Sequence, residues 1–103
     1  MVETYTREQV KIERIIQKLG FGTMMEVIFG FFQVDIFVPE IKWVVEVDGP
    51  VHRKGRDKLR DEYLLTTFDI EKIFRVPNSI KEDEFSKRFL KELEEFEQQK
   101  RSE

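Results

Sequence analysis

The sequence contains no cysteine and only one histidine, His52, among its 103 residues. Disulfide bonds and thiolate metal sites are therefore excluded, and any metal ion must take its ligands from oxygen atoms or from that one imidazole. Oxygen ligands favour Mg²⁺ or Mn²⁺ over Zn²⁺. The chain also lacks an excess of basic residues, since its net charge is −3. This charge argues against binding nucleic acid by overall attraction, although it leaves room for a local basic surface.

Long hydrophobic runs are absent as well. No stretch approaches the ~20 apolar residues that a membrane span needs, and the N-terminal segment is charged, unlike a secretory signal peptide. We therefore expect a soluble, cytoplasmic protein without a membrane partner. A hydrophobic fraction of 40% and ten phenylalanines supply enough apolar material for a core. The length is that of one domain, so residues 1–103 are predicted to form a single domain.

Hydrophobic periodicity predicts the order of the secondary-structure elements. A first helix is expected after Thr6, with Gln9 as its capping-box partner, and Gly20 should end it. The remaining predicted elements are strands over 24–30, 31–38 and 42–48, a helix over about 57–68, a strand over 70–76, and a last helix capped by Asn78 or Ser79. The short turn at Pro39 requires an antiparallel pair, and the helix before the fourth strand permits a parallel crossover. The fold class is therefore α/β with a mixed four-stranded sheet.

Acidic residues interrupt two of these apolar strands. Asp35 lies within FFQVDIFVP, and Glu46 and Asp48 lie at the end of KWVVEVDG, although aspartate is depleted in strands. The tight turn should bring Asp35 close to Glu46, and Glu46 and Asp48 should share one face. Converging carboxylates repel one another unless a divalent cation binds them, and such an ion supports phosphodiester hydrolysis. The structural alternative for each acid is a solvent-facing or ion-paired residue.

The arrangement resembles the PD-(D/E)xK, or restriction-endonuclease-like, nuclease superfamily. The chain is more closely similar to short proteins related to the very-short-patch repair (Vsr-like) endonuclease. The matching features are Glu13 in the first helix, VDI at 34–36, VEVDG at 45–49, His52, DKLRD at 57–61 and IFRV at 73–76. The resemblance implies a restriction-endonuclease-like αβββαβ core followed by a C-terminal helix. It also implies a Mg²⁺- or Mn²⁺-dependent endonuclease that hydrolyses DNA phosphodiesters, with nicking or structure-specific cleavage as candidate modes.

The resemblance assigns roles to individual residues. His52 would transfer a proton, and Glu13 would orient a metal-bound water. The alternatives are a surface-loop histidine and a glutamate that pairs along its own helix. Asp48 stands where the superfamily usually has lysine, so it can support the metal but cannot supply positive charge. The implied metal ligands are Asp35, Glu46, Asp48 and the Val47 carbonyl.

The candidate phosphate contacts are the basic residues near these acids. Arg60 could instead pair with Asp57 at i+3, which we favour, and Arg75 could hold a carboxylate. The full set is Arg53, Lys54, Arg56, Arg60 and Arg75. A solvated loop is the alternative for the basic stretch 52–58.

Two broader alternatives stay open at this point. The missing lysine and the negative net charge favour a non-catalytic nucleic-acid-binding or assembly module that keeps the nuclease fold, and RNA is an alternative to DNA as the partner. The aromatic stripe of the last helix is expected either in the core or at a homodimer interface.

Overall fold

The computed structural model describes residues 5–49 and 54–102, and it describes side chains in the second helix from residue 57 onward. The elements follow one another as predicted, in the order αβββαβα. Their bounds are α1 (Arg7–Lys18), β1 (Met24–Phe29), β2 (Phe32–Val38), β3 (Trp43–Asp48), α2 (Lys54–Thr67), β4 (Lys72–Pro77) and α3 (Glu82–Arg101).

The four strands form one mixed sheet in the order β1-β2-β3-β4. The first three strands pair antiparallel. Strand β4 pairs parallel to β3, because α2 carries the chain back to the end of the sheet at which β3 begins. Gly30 and Phe31 form the turn of the β1–β2 hairpin. Gly30 has a φ of +61°, and a Cβ there would collide with the Tyr63 hydroxyl. Both constraints favour glycine at this turn. The predicted α/β class with a mixed four-stranded sheet is confirmed.

The predicted start of α1 is confirmed in detail. The Thr6 hydroxyl accepts a hydrogen bond from the Gln9 backbone at 3.1 Å, and the Gln9 side chain accepts one from the Thr6 backbone at 3.0 Å. The predicted cap of α3 at Asn78 or Ser79 is wrong, because Lys81 is the N-cap residue and makes no side-chain capping bond. The physical reason is Ile80, which is 3% exposed. After the turn at Pro77, the backbone must bring the Ile80 side chain into the core, so α3 begins only after Lys81.

Helices cover both faces of the sheet. One cluster packs α1 and α3 against Ile36, Trp43 and Phe74, and the other packs α2 against Val34 and Val44. Phe85 and Phe89 are fully buried, and the rest of the α3 stripe packs on the same cluster. The stripe is therefore core, and this removes the reason for expecting a homodimer. In the part of the chain that the structure describes, no helix has the length and apolar character to cross a bilayer.

Candidate active site

Strands β2 and β3 separate at Asp35 and Glu46, and we call this opening the fork. Regular pairing of the two strands runs from Val38 opposite Trp43 to Ile36 opposite Val45. At the next position the Asp35 backbone N–H donates to Glu46 Oε2 at 2.8 Å. In return, the Val47 N–H donates to Asp35 Oδ2 at 2.8 Å. The two carboxylates thus satisfy backbone donors where the ladder ends.

The backbone is irregular around Asp35. Ile36 belongs to the cluster under α1 and α3, whereas Val34 belongs to the cluster under α2. Residues two apart on a regular strand share a face, so the alternation of β2 breaks at Asp35. Glu26, across from Asp35 in β1, has a φ of +50°, in the left-handed region. Because of this distortion, the Asp35 carboxylate reaches the Val47 backbone N–H in the neighbouring strand β3.

The second oxygen of Asp35 is held by α1. Gln9 Nε2 donates to Asp35 Oδ1 at 2.8 Å. The orientation of the Gln9 amide is fixed because its oxygen already accepts the Thr6 N–H in the capping box, so the amide NH₂ is the group left for Asp35. From the sequence, Gln9 was predicted as a helix cap only, and its contact with the site was not predicted.

Glu46 is a buried acid, with 5% of its surface exposed. Its Oε1 lies 2.5 Å from the Arg60 guanidinium. Burial is the largest effect on the Glu46 carboxyl and, together with the charge of Asp35, raises its pKa from the ordinary 4.5 to about 7. The hydrogen bond from the Asp35 backbone and the charge of Arg60 act in the opposite direction. Glu46 therefore holds its proton to a higher pH than an exposed glutamate does.

Arg60 reaches the fork from α2. Besides Glu46, its Nη2 donates to the Gln33 carbonyl at 2.7 Å, and its guanidinium lies 5.7 Å from the centre of the Phe32 ring. The preferred pairing of Arg60 with Asp57 is wrong. Arg60 lies on the side of α2 that faces the sheet, where it contacts Glu46 and Gln33. Arg60 is thus the positive charge beside the buried acid.

Asp48 is directed to a different partner. Arg75 on β4 lies 3.2 Å from Asp48 and 2.6 Å from Asp61, and Asp57 is 3.9 Å away. Burial tends to lower the pKa of Arg75, but the hydrogen bond to Asp61 and the three carboxylate charges outweigh it and raise the pKa. Arg75 therefore holds carboxylates, one of the two roles expected for it. The predicted convergence of three carboxylates is reduced to the pair Asp35 and Glu46, and within the described residues no group of three acidic or histidine side chains is arranged to hold a metal.

Glu13 makes its described contact away from this pair, and four further predicted site residues lie outside the described region in whole or in their side chains. Glu13 is one helical turn after Gln9 and accepts a hydrogen bond from the Thr23 hydroxyl at 3.0 Å. The described region does not include His52 and Arg53, nor the side chains of Lys54 and Arg56. The Val47 N–H binds Asp35, and a role for its carbonyl stays a prediction.

The donor chemistry of Asp35 and Glu46 fits a hard divalent cation. Among the described residues, the contacts above give each of their oxygens one donor, whereas a carboxylate offers about four acceptor sites. Mg²⁺ is commonly held by one or two carboxylates and completes its shell with water and substrate oxygens. A pair of acids is therefore sufficient.

No protein-family model and no curated protein matches this chain. Among solved structures, the chain is similar to the catalytic domain of the homing endonuclease I-Bth0305I, with a TM-score of 0.63 and 12% sequence identity. The alignment covers 88% of this chain and 93% of that domain. The chain has a nuclease-like fold. At this level of identity the similarity concerns the fold, so the function of the fork must be argued from its own geometry.

Proposed function

We propose that this protein is a Mg²⁺- or Mn²⁺-dependent endonuclease that hydrolyses DNA, with Asp35 and Glu46 as the metal ligands. The observation that carries the proposal is the fork, where each of two strand carboxylates accepts a backbone hydrogen bond from the other strand. Among the described side chains, Arg60 is the one cation in contact with the pair. A purely structural ion pair would match one acid with one base. Two adjacent acids, one buried and with a raised pKa, are typical of functional sites.

The surroundings of Asp35 support a role as a ligand. Hydrogen bonds from Gln9 and Val47 hold both of its oxygens, so the carboxylate is orientated before any ion binds. Such outer contacts are the usual means of fixing a metal-binding carboxylate. A bound ion would lower the pKa of a coordinated water and neutralise charge on the phosphoryl group.

The remaining site residues have narrower proposed roles. Asp48 supports the site through Arg75 rather than as a principal ligand. Glu13, on the same face of α1 as Gln9, orients water near Asp35. His52 transfers a proton. Arg53, between β3 and α2 in the sequence, and Lys54 and Arg56, in the first turn of α2, contact phosphates.

A non-catalytic nucleic-acid-binding module is the second candidate. The observation that favours it is the engagement of both described candidate phosphate contacts, Arg60 and Arg75, by carboxylates. In that case the fold would bind nucleic acid or another protein without cleaving it.

The test combines calorimetry with cleavage assays. Purified protein is titrated with Mn²⁺ and then incubated with plain, mismatched and branched DNA, and with RNA of the same sequences. We expect Mn²⁺ binding and DNA cleavage by the wild type, and loss of both in Asp35→Ala. The matched control is Asp69→Ala, which removes an exposed carboxylate that pairs with Lys42, at the opposite end of β3 from Asp48.

The outcomes separate the candidates. Metal binding without cleavage of any substrate would favour the non-catalytic module. Cleavage of RNA alone would change the substrate class, and equal Mn²⁺ binding by wild type and Asp35→Ala would remove the proposed site.

A further inference from the structure

Arg60 occupies a position in which it must respond to a metal ion. Its Nη2 lies 2.5 Å from Glu46 Oε1, one of the four carboxylate oxygens of the proposed ligand pair. A divalent cation bound to Glu46 would place like charges a few ångströms apart in a largely buried site, where Coulomb forces are weakly screened. Arg60 and the ion therefore cannot both hold this carboxylate at full strength.

Two further contacts keep Arg60 at the fork independently of Glu46. The Gln33 carbonyl accepts a hydrogen bond from Nη2 at 2.7 Å, and the Phe32 ring lies under the guanidinium. Both partners are in β2 just before Asp35. If Glu46 turned to a metal ion, Arg60 would stay within reach of the site with most of its donors free.

We propose, building on the metal-dependent function above, that Arg60 holds Glu46 until a divalent cation takes that carboxylate, and that Arg60 then contacts the substrate phosphate. Arg60 supplies the positive charge that Asp48 cannot supply. A guanidinium presents paired donors to phosphate oxygens, which suits this second position. Metal and arginine compete for Glu46, whereas metal and phosphate binding reinforce each other.

The experiment tests two effects of removing Arg60 that should have opposite directions, namely tighter metal binding and weaker DNA binding. Mn²⁺ is titrated calorimetrically into wild type, Arg60→Gln and Lys58→Gln under nitrogen at about pH 8.5. This pH lies well above the Glu46 pKa of about 7, so protonation does not mask the competition. Lys58→Gln is the matched control because it removes the same charge from an exposed position on the opposite side of α2.

We expect Arg60→Gln to bind Mn²⁺ about tenfold more tightly than wild type, within the usual range of coupling between two sites, while Lys58→Gln changes by less than about twofold. In the presence of saturating Ca²⁺, Arg60→Gln should bind a DNA duplex about tenfold more weakly than wild type. A residue with only a structural role would not move the two affinities in opposite directions.

Equal or weaker Mn²⁺ binding by a folded Arg60→Gln would overturn the proposal and leave the metal site intact. If Arg60→Gln does not fold, Arg60→Lys serves instead, because a point charge holds Glu46 less firmly. That variant should also bind Mn²⁺ more tightly, and an unchanged affinity would overturn the proposal. Absence of Mn²⁺ binding by the wild type would remove both this inference and the metal-dependent function.

Discussion

Glu46 should make the stability of the protein depend on pH in an unusual direction. Most acids in folded proteins have lowered pKa values, and their contribution to stability is lost in acid. Glu46 has a raised pKa because it is buried beside Asp35. The folded protein therefore holds the Glu46 proton more tightly than the unfolded chain does, and the stability linked to this group is lost as the pH rises.

The size of the effect follows from the two pKa values. The Glu46 pKa is 4.5 in its ordinary state and about 7 in the folded protein. Between these values the folded state carries one proton that the unfolded state lacks, so the free energy of unfolding falls with rising pH. At about 1.4 kcal/mol for each tenfold change in proton affinity, the full loss is about 3 kcal/mol. The contribution is complete below pH 4.5 and gone above about pH 7.

Urea denaturation of wild type and Glu46→Gln, both in EDTA, measures this contribution. The difference in free energy of unfolding between the two proteins should change by about 2–3 kcal/mol between pH 5 and pH 8, with the wild type losing stability relative to the variant as the pH rises. Comparing the difference cancels the titration of all other groups that the two proteins share. A difference that stays constant across this range would refute the reasoning.

Three other predictions concern the Arg75 cluster, the core and the oligomeric state. Arg75→Ala removes the cation of Asp48 and leaves Asp61 only the more distant Arg60, at 3.8 Å. Because the cluster is partly exposed, the free energy of unfolding should fall by about 1–3 kcal/mol; an effect within ±0.5 kcal/mol in urea denaturation would show that the cluster is not stabilising. Phe89→Ala should cost about 3–5 kcal/mol by the same measurement because the ring is fully buried. Light scattering should give the wild-type mass of one chain at micromolar concentration, whereas a dimer mass would require a different interface.

The parts of the fold that were predicted correctly depend on neighbouring residues in the sequence. The capping box needs only Thr6 and Gln9 to lie three residues apart, and it is present. The antiparallel pairing of β2 with β3 follows from the short turn between them. The start of α3 was predicted wrongly because the decisive fact is the burial of Ile80 in a core built by distant elements.

The same distinction applies to the site. The meeting of Asp35 and Glu46 was predictable, since the register of one hairpin determines it. The partner of Asp48 was not, because Arg75 comes beside it through the parallel register of β4. The contact of Arg60 with Glu46 depends on the rotation of α2 about its axis, which a weakly amphipathic sequence does not specify.

The charges around the fork affect both the protonation of Glu46 and the proposed binding of a metal ion. Among the described side chains, Asp35 and Glu46 lie next to each other at the fork, and Arg60 is the cation beside them. Burial and the repulsion from Asp35 both favour a proton on Glu46. Under the proposed function, a divalent cation would stabilise these carboxylates instead, and it would have to displace that proton to bind. Asp48 is paired with Arg75, so the charges that decide whether a cation binds at the fork are those of Asp35, Glu46 and Arg60.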